Sequence, residues 1–340
     1  MPRGRVLADL AGVRLAPEER ELLLHPQVGG VILFSRNFES VAQLAGLVSV
    51  IHELRFPPLL VAVDHEGGRV QRFRDGFTRI PPMRALGREW ERDEELALTA
   101  SRACGYVLAS ELRACGVDLS FAPVLDLDHG PSGVIGDRAF HRQPDAVAAL
   151  AAALTRGMRD GGMAACAKHF PGHGYVAADS HVDTPVDPRP LAEIEREDIV
   201  PFRRLAAAGL EAIMPAHVVY PAVDSAPAGF SRIWLDYLRK RIGFAGLIFS
   251  DDLSMQGARA YGGVIERGMA AIEAGCDMLL LCNAPDDLRA LVEGMEKARC
   301  TPVDAGRIKA LNRPAPAASL QSLAALGVYR SFLDAVKRIA

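Results

Sequence analysis

Eight short apolar runs rich in Val, Ile and Leu recur along the chain, at residues 6–10, 28–34, 59–63, 117–123, 164–169, 210–216, 246–250 and 277–281. They are apolar at nearly every position rather than at every second one, the pattern of strands covered on both faces. Between them lie longer stretches in which apolar residues return with the helical period, at 41–54, 94–114, 146–160, 191–208, 233–242 and 264–274. Strands alternating with crossover helices predict a parallel sheet of the α/β class, and eight of them predict a closed TIM-type (β/α)8 barrel. The run RPAPAAS at 313–319 reads as a linker and 320–339 as a helix packing on the outside of the barrel. The expected organisation is therefore one barrel domain over 1–312, with a linker and C-terminal helix over 313–340.

Polar residues interrupt this pattern at consistent places. Asp64 and His65 follow the third run, Asp126 and Asp128 the fourth, Lys168 and His169 close the fifth, His217 follows the sixth, and Asp251 and Asp252 follow the seventh. All are C-terminal strand ends, which in a parallel barrel converge on the face that carries catalytic residues. Residues almost two hundred positions apart are thus expected to share one pocket.

Composition narrows the partners. The 39 basic and 42 acidic residues give a formal charge of −3 without a basic stripe or block, which argues against nucleic acid or an anionic membrane surface. A small neutral or anionic ligand fits better. The N-terminus MPRGRVLADLAG lacks the apolar core of a signal peptide and no run approaches bilayer length, so a soluble, cytoplasmic protein is expected, with a monomer as the default state. Six cysteines are scattered without CxxC pairs, so neither a zinc ribbon nor a disulfide framework is indicated.

Four motifs carry candidate chemistry. DHEGGRVQRF (64–73) pairs a carboxylate with arginines across a glycine turn, so Asp64 and Arg72 either grip a polar ligand or form a structural ion pair. IGDRAF (135–140) places Arg138 on another strand-end loop. KHFPGHGYVAADSHVDTP (168–185) opens with Lys168 and His169, a buried lysine that needs a partner such as Asp64 and an imidazole beside it. Its glycines and prolines make the rest a loop. There Asp179 stands two residues before His181, close enough to orient the ring as an acid/base dyad, or both are solvated loop residues. His173, His181, Asp179 and Asp183 could alternatively hold a metal, although helical HExxH spacing is absent. FSDDLSM (249–255) ends an apolar strand in Asp251, directed into the barrel mouth.

In order and spacing, these motifs resemble the glycoside hydrolase family 3 β-N-acetylglucosaminidases that bacteria use in peptidoglycan recycling, from Val6 to about Ala298. The resemblance implies a retaining β-N-acetylhexosaminidase that removes non-reducing terminal β-linked N-acetylglucosamine from peptidoglycan fragments, with or without peptide, and uses no cofactor or metal. It implies Asp251 as nucleophile, His181 with Asp179 as the acid/base dyad, and Asp64, Arg72, Arg138, Lys168 and His169 as sugar-binding residues. Ala139 stands where the family commonly has serine. Larger members resemble this barrel with an added α/β domain that often supplies the acid/base; with no room for one here, a barrel loop is expected to supply it. The alternatives are a phosphorylase using the same site, a metal-dependent hydrolase, or a non-catalytic sugar-binding barrel.

Overall fold

The computed structural model describes residues 4–177, 185–259, 261–311 and 319–339. The eight apolar runs form β1 Val6–Asp9, β2 Val28–Leu33, β3 Leu60–Val63, β4 Leu119–Ser120, β5 Ala164–Phe170, β6 Ala212–Pro215, β7 Leu247–Asp252 and β8 Met278–Leu280. Each pairs in parallel with its neighbours in sequence, and β8 returns to β1 through Val6↔Leu279, closing the barrel. The fourth strand is shorter than its apolar run because Pro123 brings no N–H to a ladder.

Strand side chains alternate between faces, which splits the core into two shells. The inner shell holds Leu7, Ile32, Leu60, Ala62, Leu119, Phe121, Ala164, Cys166, Ala212, Met214, Leu247, Phe249, Met278 and Leu280, with Val303, Ile308 and Leu311 from the chain after β8 joining it. The outward neighbours, such as Val61, Val63, Ala165, Ala167, Ile213 and Ile248, pack in a second cluster with the surrounding helices. Both faces of every strand are therefore buried, as the unbroken apolar runs anticipate.

The long helices start where the sequence supplies caps. Ser40 Oγ accepts from Gln43 N ahead of Val41–Glu53, and Asp93 Oδ1 from Leu96 N ahead of Glu94–Ala114. Where one helix is expected over 191–208, two are found, Leu191–Arg196 and Ile199–Ala207. Pro201 suits the first turn of the second, where its missing N–H has no partner to lose, but cannot continue a helix through Glu197. The expected helix over 320–339 is likewise two, Leu320–Ala325 and Gly327–Lys337, separated by Leu326 in an extended conformation beside a weak helix former, Gly327. The segment 233–242 runs from an α-helix, Arg232–Asp236, into a π turn, Tyr237–Arg241. Pro17–Leu23, Met83–Trp90 and Pro285–Lys297 are helices that the periodicity did not single out.

After β3 the chain makes a small antiparallel pair, His65–Gly67 with Val70–Gln71, turned by Gly67 and Gly68 at φ of 113° and 54°. A Cβ at Gly67 would lie 2.7 Å from Pro81 O, so the turn requires glycine. The helix Gly327–Lys337 packs on Glu94–Ala114, with the Tyr106 and Phe332 rings 4.7 Å apart. Among the described residues no helix is long and apolar enough to cross a membrane.

Candidate active site

At the C-terminal ends of the strands lies a cavity of about 760 Å³. The inward alternation supplies its chemistry: Asp64 follows Ala62, Lys168 follows Cys166, Asp251 follows Phe249 and Cys282 follows Leu280, and all four line the cavity. Each is the rung above the apolar layers on its own strand. Ile32, Phe34 and Met214 add apolar wall.

One wall is an ionic network. The Lys168 ammonium lies 2.7 Å from both Asp64 Oδ1 and Glu66 Oε1. Glu66, only 3 % exposed, also accepts from Arg138 Nε and Nη2, each at 2.8 Å, a planar fork matched to a carboxylate. Burial alone would raise the Glu66 carboxyl, but Arg138 and Lys168 hold it well below its usual range. Burial pulls Lys168 down, and Asp64 and Glu66 more than offset that. Arg72 lies 3.7 Å from Asp64 Oδ2, and its buried Nε has no hydrogen-bond partner among the described residues. An oriented donor is thus left over beside the cavity.

The carboxylate of Asp251 accepts from Asp252 N at 2.8 Å. Burial pushes it up, whereas His217, His169, Lys168 and the Asp252 N–H together hold it below the ordinary carboxylate range, so it is ionised near neutral pH. Asp252 reaches the same cavity with its oxygens engaged: Oδ1 accepts from Ser254 N and Cys282 N, and Oδ2 from Ser254 Oγ. Burial raises its pKa to about 6. His169 Nδ1 is 2.7 Å from Oδ2 of the fully buried Asp126, whose Oδ1 accepts from His173 N at 2.7 Å. Burial would raise Asp126, but His169 and His173 keep it low, so the ionised Asp126 accepts a hydrogen bond from Nδ1–H of His169 and leaves Nε2 for a ligand.

Of the residues singled out in the sequence, Asp64, Arg72, Arg138, Lys168, His169 and Asp251 all line this one cavity. Asp179, His181 and Asp183 lie outside the described residues; Ala177 and His173, before them in sequence, line the cavity. Four expected mouth residues do not line it, and one of them is Asp126, fully buried against His169. His65 packs among Phe73 and Phe77, where burial and then Arg72 lower its pKa to about 3. His217 is buried against Phe230 with Nε2 3.2 Å from the Asp252 carbonyl, and Asp128 pairs with Arg84. Glu66 was missed, although its place two residues after Asp64 is a period-2 signal for the same face. Elsewhere His129, Glu197 and Asp198 come within metal-binding reach, but Asp198 accepts from Arg189 and Glu197 from Arg142. Both carboxylates are already neutralised.

The Glycosyl hydrolase family 3 N terminal domain matches residues 5–309. The Beta-hexosaminidase of Aromatoleum aromaticum is 57 % identical over 337 residues, covering 98 % of this chain and 94 % of its own. That of Chromobacterium violaceum is 60 % identical over 296 residues, covering 87 % and 83 %. The solved NagZ from Neisseria gonorrhoeae in complex with N-trifluoroacetyl-D-glucosamine aligns with a TM-score of 0.93 at 50 % identity, over 100 % of this chain and 99 % of that one. With this barrel, a charged cavity at its strand ends and identities of this size, the chain belongs to glycosyl hydrolase family 3 and is a glycoside hydrolase that groups with proteins named Beta-hexosaminidase.

Proposed function

We propose that the protein is a retaining β-N-acetylhexosaminidase that removes non-reducing terminal β-linked N-acetylglucosamine from peptidoglycan fragments. Asp251 attacks the anomeric carbon as the glycosidic C–O bond breaks, while protonated His181, oriented by Asp179, gives its proton to the departing oxygen. In the second step neutral His181 takes a proton from water, whose oxygen attacks the anomeric carbon and releases Asp251. Asp64, Arg72, Arg138, Lys168 and His169 bind the sugar hydroxyls and acetamido group.

The observation that carries this reading is Asp251, a cavity carboxylate that His217, His169 and Lys168 hold ionised against its burial. A retaining site usually places a second carboxyl about 5 Å away as acid/base. Asp252 serves poorly, because its oxygens already accept three hydrogen bonds. The segment after Ala177, which carries Asp179 and His181, is then the candidate source of the proton donor. The sugar in the Neisseria gonorrhoeae complex and the relatives' names support the acetamido sugar.

The test compares a chromogenic β-N-acetylglucosaminide with the matching glucoside, with and without phosphate, and traps the intermediate with a 5-fluoro glycosyl donor. Hydrolysis confined to the acetamido sugar and a label on Asp251 are expected. A label on Asp252, full turnover by Asp251→Ala, or a sugar phosphate as product would overturn the proposal.

A further inference from the structure

The helix Gly327–Lys337 lies beyond the part of the chain matched by the family domain, and none of its residues lines the cavity. Its Tyr329 is nevertheless buried, and the hydroxyl donates to Glu111 Oε1 at 2.5 Å. Glu111, 3 % exposed near the end of Glu94–Ala114, is held from a second side by Thr78, whose Oγ1 donates to Oε1 at 2.5 Å and whose N–H donates to Oε2 at 2.9 Å. Three donors converge on this carboxyl; burial raises its pKa above the ordinary glutamate value, and the bonds from Thr78 and Tyr329 offset only part of that rise.

Thr78 belongs to the segment that carries Asp64, Glu66, Arg69 and Arg72 to the cavity, and the same contacts continue towards them. The Thr78 carbonyl accepts from Gln71 Nε2 at 2.9 Å, which also donates to the Phe73 carbonyl at 3.1 Å. Gln71 Oε1 accepts from Ile80 N, and Ile80 O from Gly68 N. The buried Gln71 side chain, one residue before Arg72, is therefore tied to the backbone that follows it at Phe73, Thr78 and Ile80. Arg72 faces the cavity 3.7 Å from Asp64, with its own carbonyl fixed by Ser35 Oγ.

We infer that the C-terminal helix is a working part of the substrate site, with Tyr329 and Glu111 as positioning residues that set Arg72 and the 64–80 segment through Thr78 and Gln71. The inference rests on the proposed sugar-binding role of Arg72. Among the described residues, removing the Tyr329 hydroxyl leaves the Glu111 carboxyl with Thr78 as its donor and frees the outer end of these contacts. The effect belongs in ground-state recognition, because among the described residues the hydrogen bonds of Tyr329, Glu111, Thr78 and Gln71 lead to the Arg72 segment and not to Asp251.

The test is steady-state kinetics of the full-length protein with 4-nitrophenyl N-acetyl-β-glucosaminide, well below the unfolding temperature. The variants are Tyr329→Phe, Tyr329→Ala, Glu111→Gln, Arg72→Ala, the double variant Tyr329→Phe/Arg72→Ala, and the exposed Arg330→Ala as a control. Loss of one such hydrogen bond predicts that Tyr329→Phe raises KM about three- to tenfold with kcat within about twofold. The double variant should then be no worse than Arg72→Ala alone. If Tyr329→Phe and Tyr329→Ala lower the melting temperature but leave KM at the Arg330→Ala level, the helix is merely structural and the inference is overturned. If Arg72→Ala raises KM and the Tyr329 and Glu111 variants do not, this inference alone fails. If Arg72→Ala leaves KM unchanged, the binding role of Arg72 fails and the inference fails with it.

Discussion

Replacing Glu66 by alanine should be among the most damaging single changes in the barrel, although Glu66 has no proposed role in bond cleavage. Its carboxylate accepts two bonds from Arg138 and lies 2.7 Å from the Lys168 ammonium, all in a site where Glu66 itself is 3 % exposed. Removing it leaves Lys168 with Asp64 and, among the described residues, leaves the Val134 carbonyl as the hydrogen-bond acceptor for Arg138. A buried charge stripped of its partner typically costs about 3–5 kcal/mol, and that is the expected loss at pH 7. Glu66→Gln keeps the shape and one acceptor and should lose less. The pH dependence follows from the depressed carboxyl: the folded protein refuses a proton that the unfolded chain takes up. The stabilisation is therefore fully present above the ordinary glutamate range near 4.5 and is lost as pH falls through and below it. Urea unfolding of wild type and both variants between pH 7 and pH 3.5 tests this, with the gap between wild type and Glu66→Gln narrowing at the acid end. A loss within the roughly 0–1 kcal/mol of an exposed pair, or a gap independent of pH, would refute the reasoning.

Lys168→Ala should raise KM for the acetamido sugar by a factor corresponding to about 1.5–3 kcal/mol, the worth of a charged hydrogen bond, and unchanged kcat/KM would remove Lys168 from the binding set. Asp252, raised to about 6 by burial, stabilises the fold most below its unfolded value near 3.8 and loses that contribution as pH rises through about 6. The stability of wild type relative to Asp252→Asn should accordingly fall by on the order of 2 kcal/mol between pH 4 and pH 7 in urea titrations, and a constant difference would place the titration elsewhere. His181→Ala should cripple hydrolysis of substrates with poor leaving groups while dinitrophenyl glycosides still form the glycosyl-enzyme; equal slowing of both in that first step would exclude His181 as the acid.

The barrel was legible because parallel strands buried on both faces leave an unmistakable record of near-continuous apolar runs, and each of the eight became a strand. Asp64, Lys168 and Asp251 were legible for the same reason, since each is the first inward polar position after an apolar layer. Positions beyond the strand end were harder. Once the chain leaves the ladder its direction is set by local contacts that periodicity does not record: Asp128 turns to Arg84, and His65 enters an aromatic nest. Glu66 escaped notice because its meaning lies in partners 72 and 102 residues away, Arg138 and Lys168. The split helices at Pro201 and Leu326 carried signals, a proline and a glycine, that the apolar period overrode.

The inward ladder also makes the strands behave as rulers. In β7 the sequence Leu247, Phe249, Asp251 points into the barrel and Ile248 points outward, so deleting one residue ahead of Asp251 would exchange the two sets. Asp252 would take the place of Asp251, and Ile248 would meet the barrel axis while Phe249 met the helices. The same holds for Ala164, Cys166 and Lys168 in β5. Sequence change in these strands is thus constrained in length far more than in identity. One apolar residue can replace another of similar volume, whereas a single-codon insertion or deletion there erases the site and the core in one step.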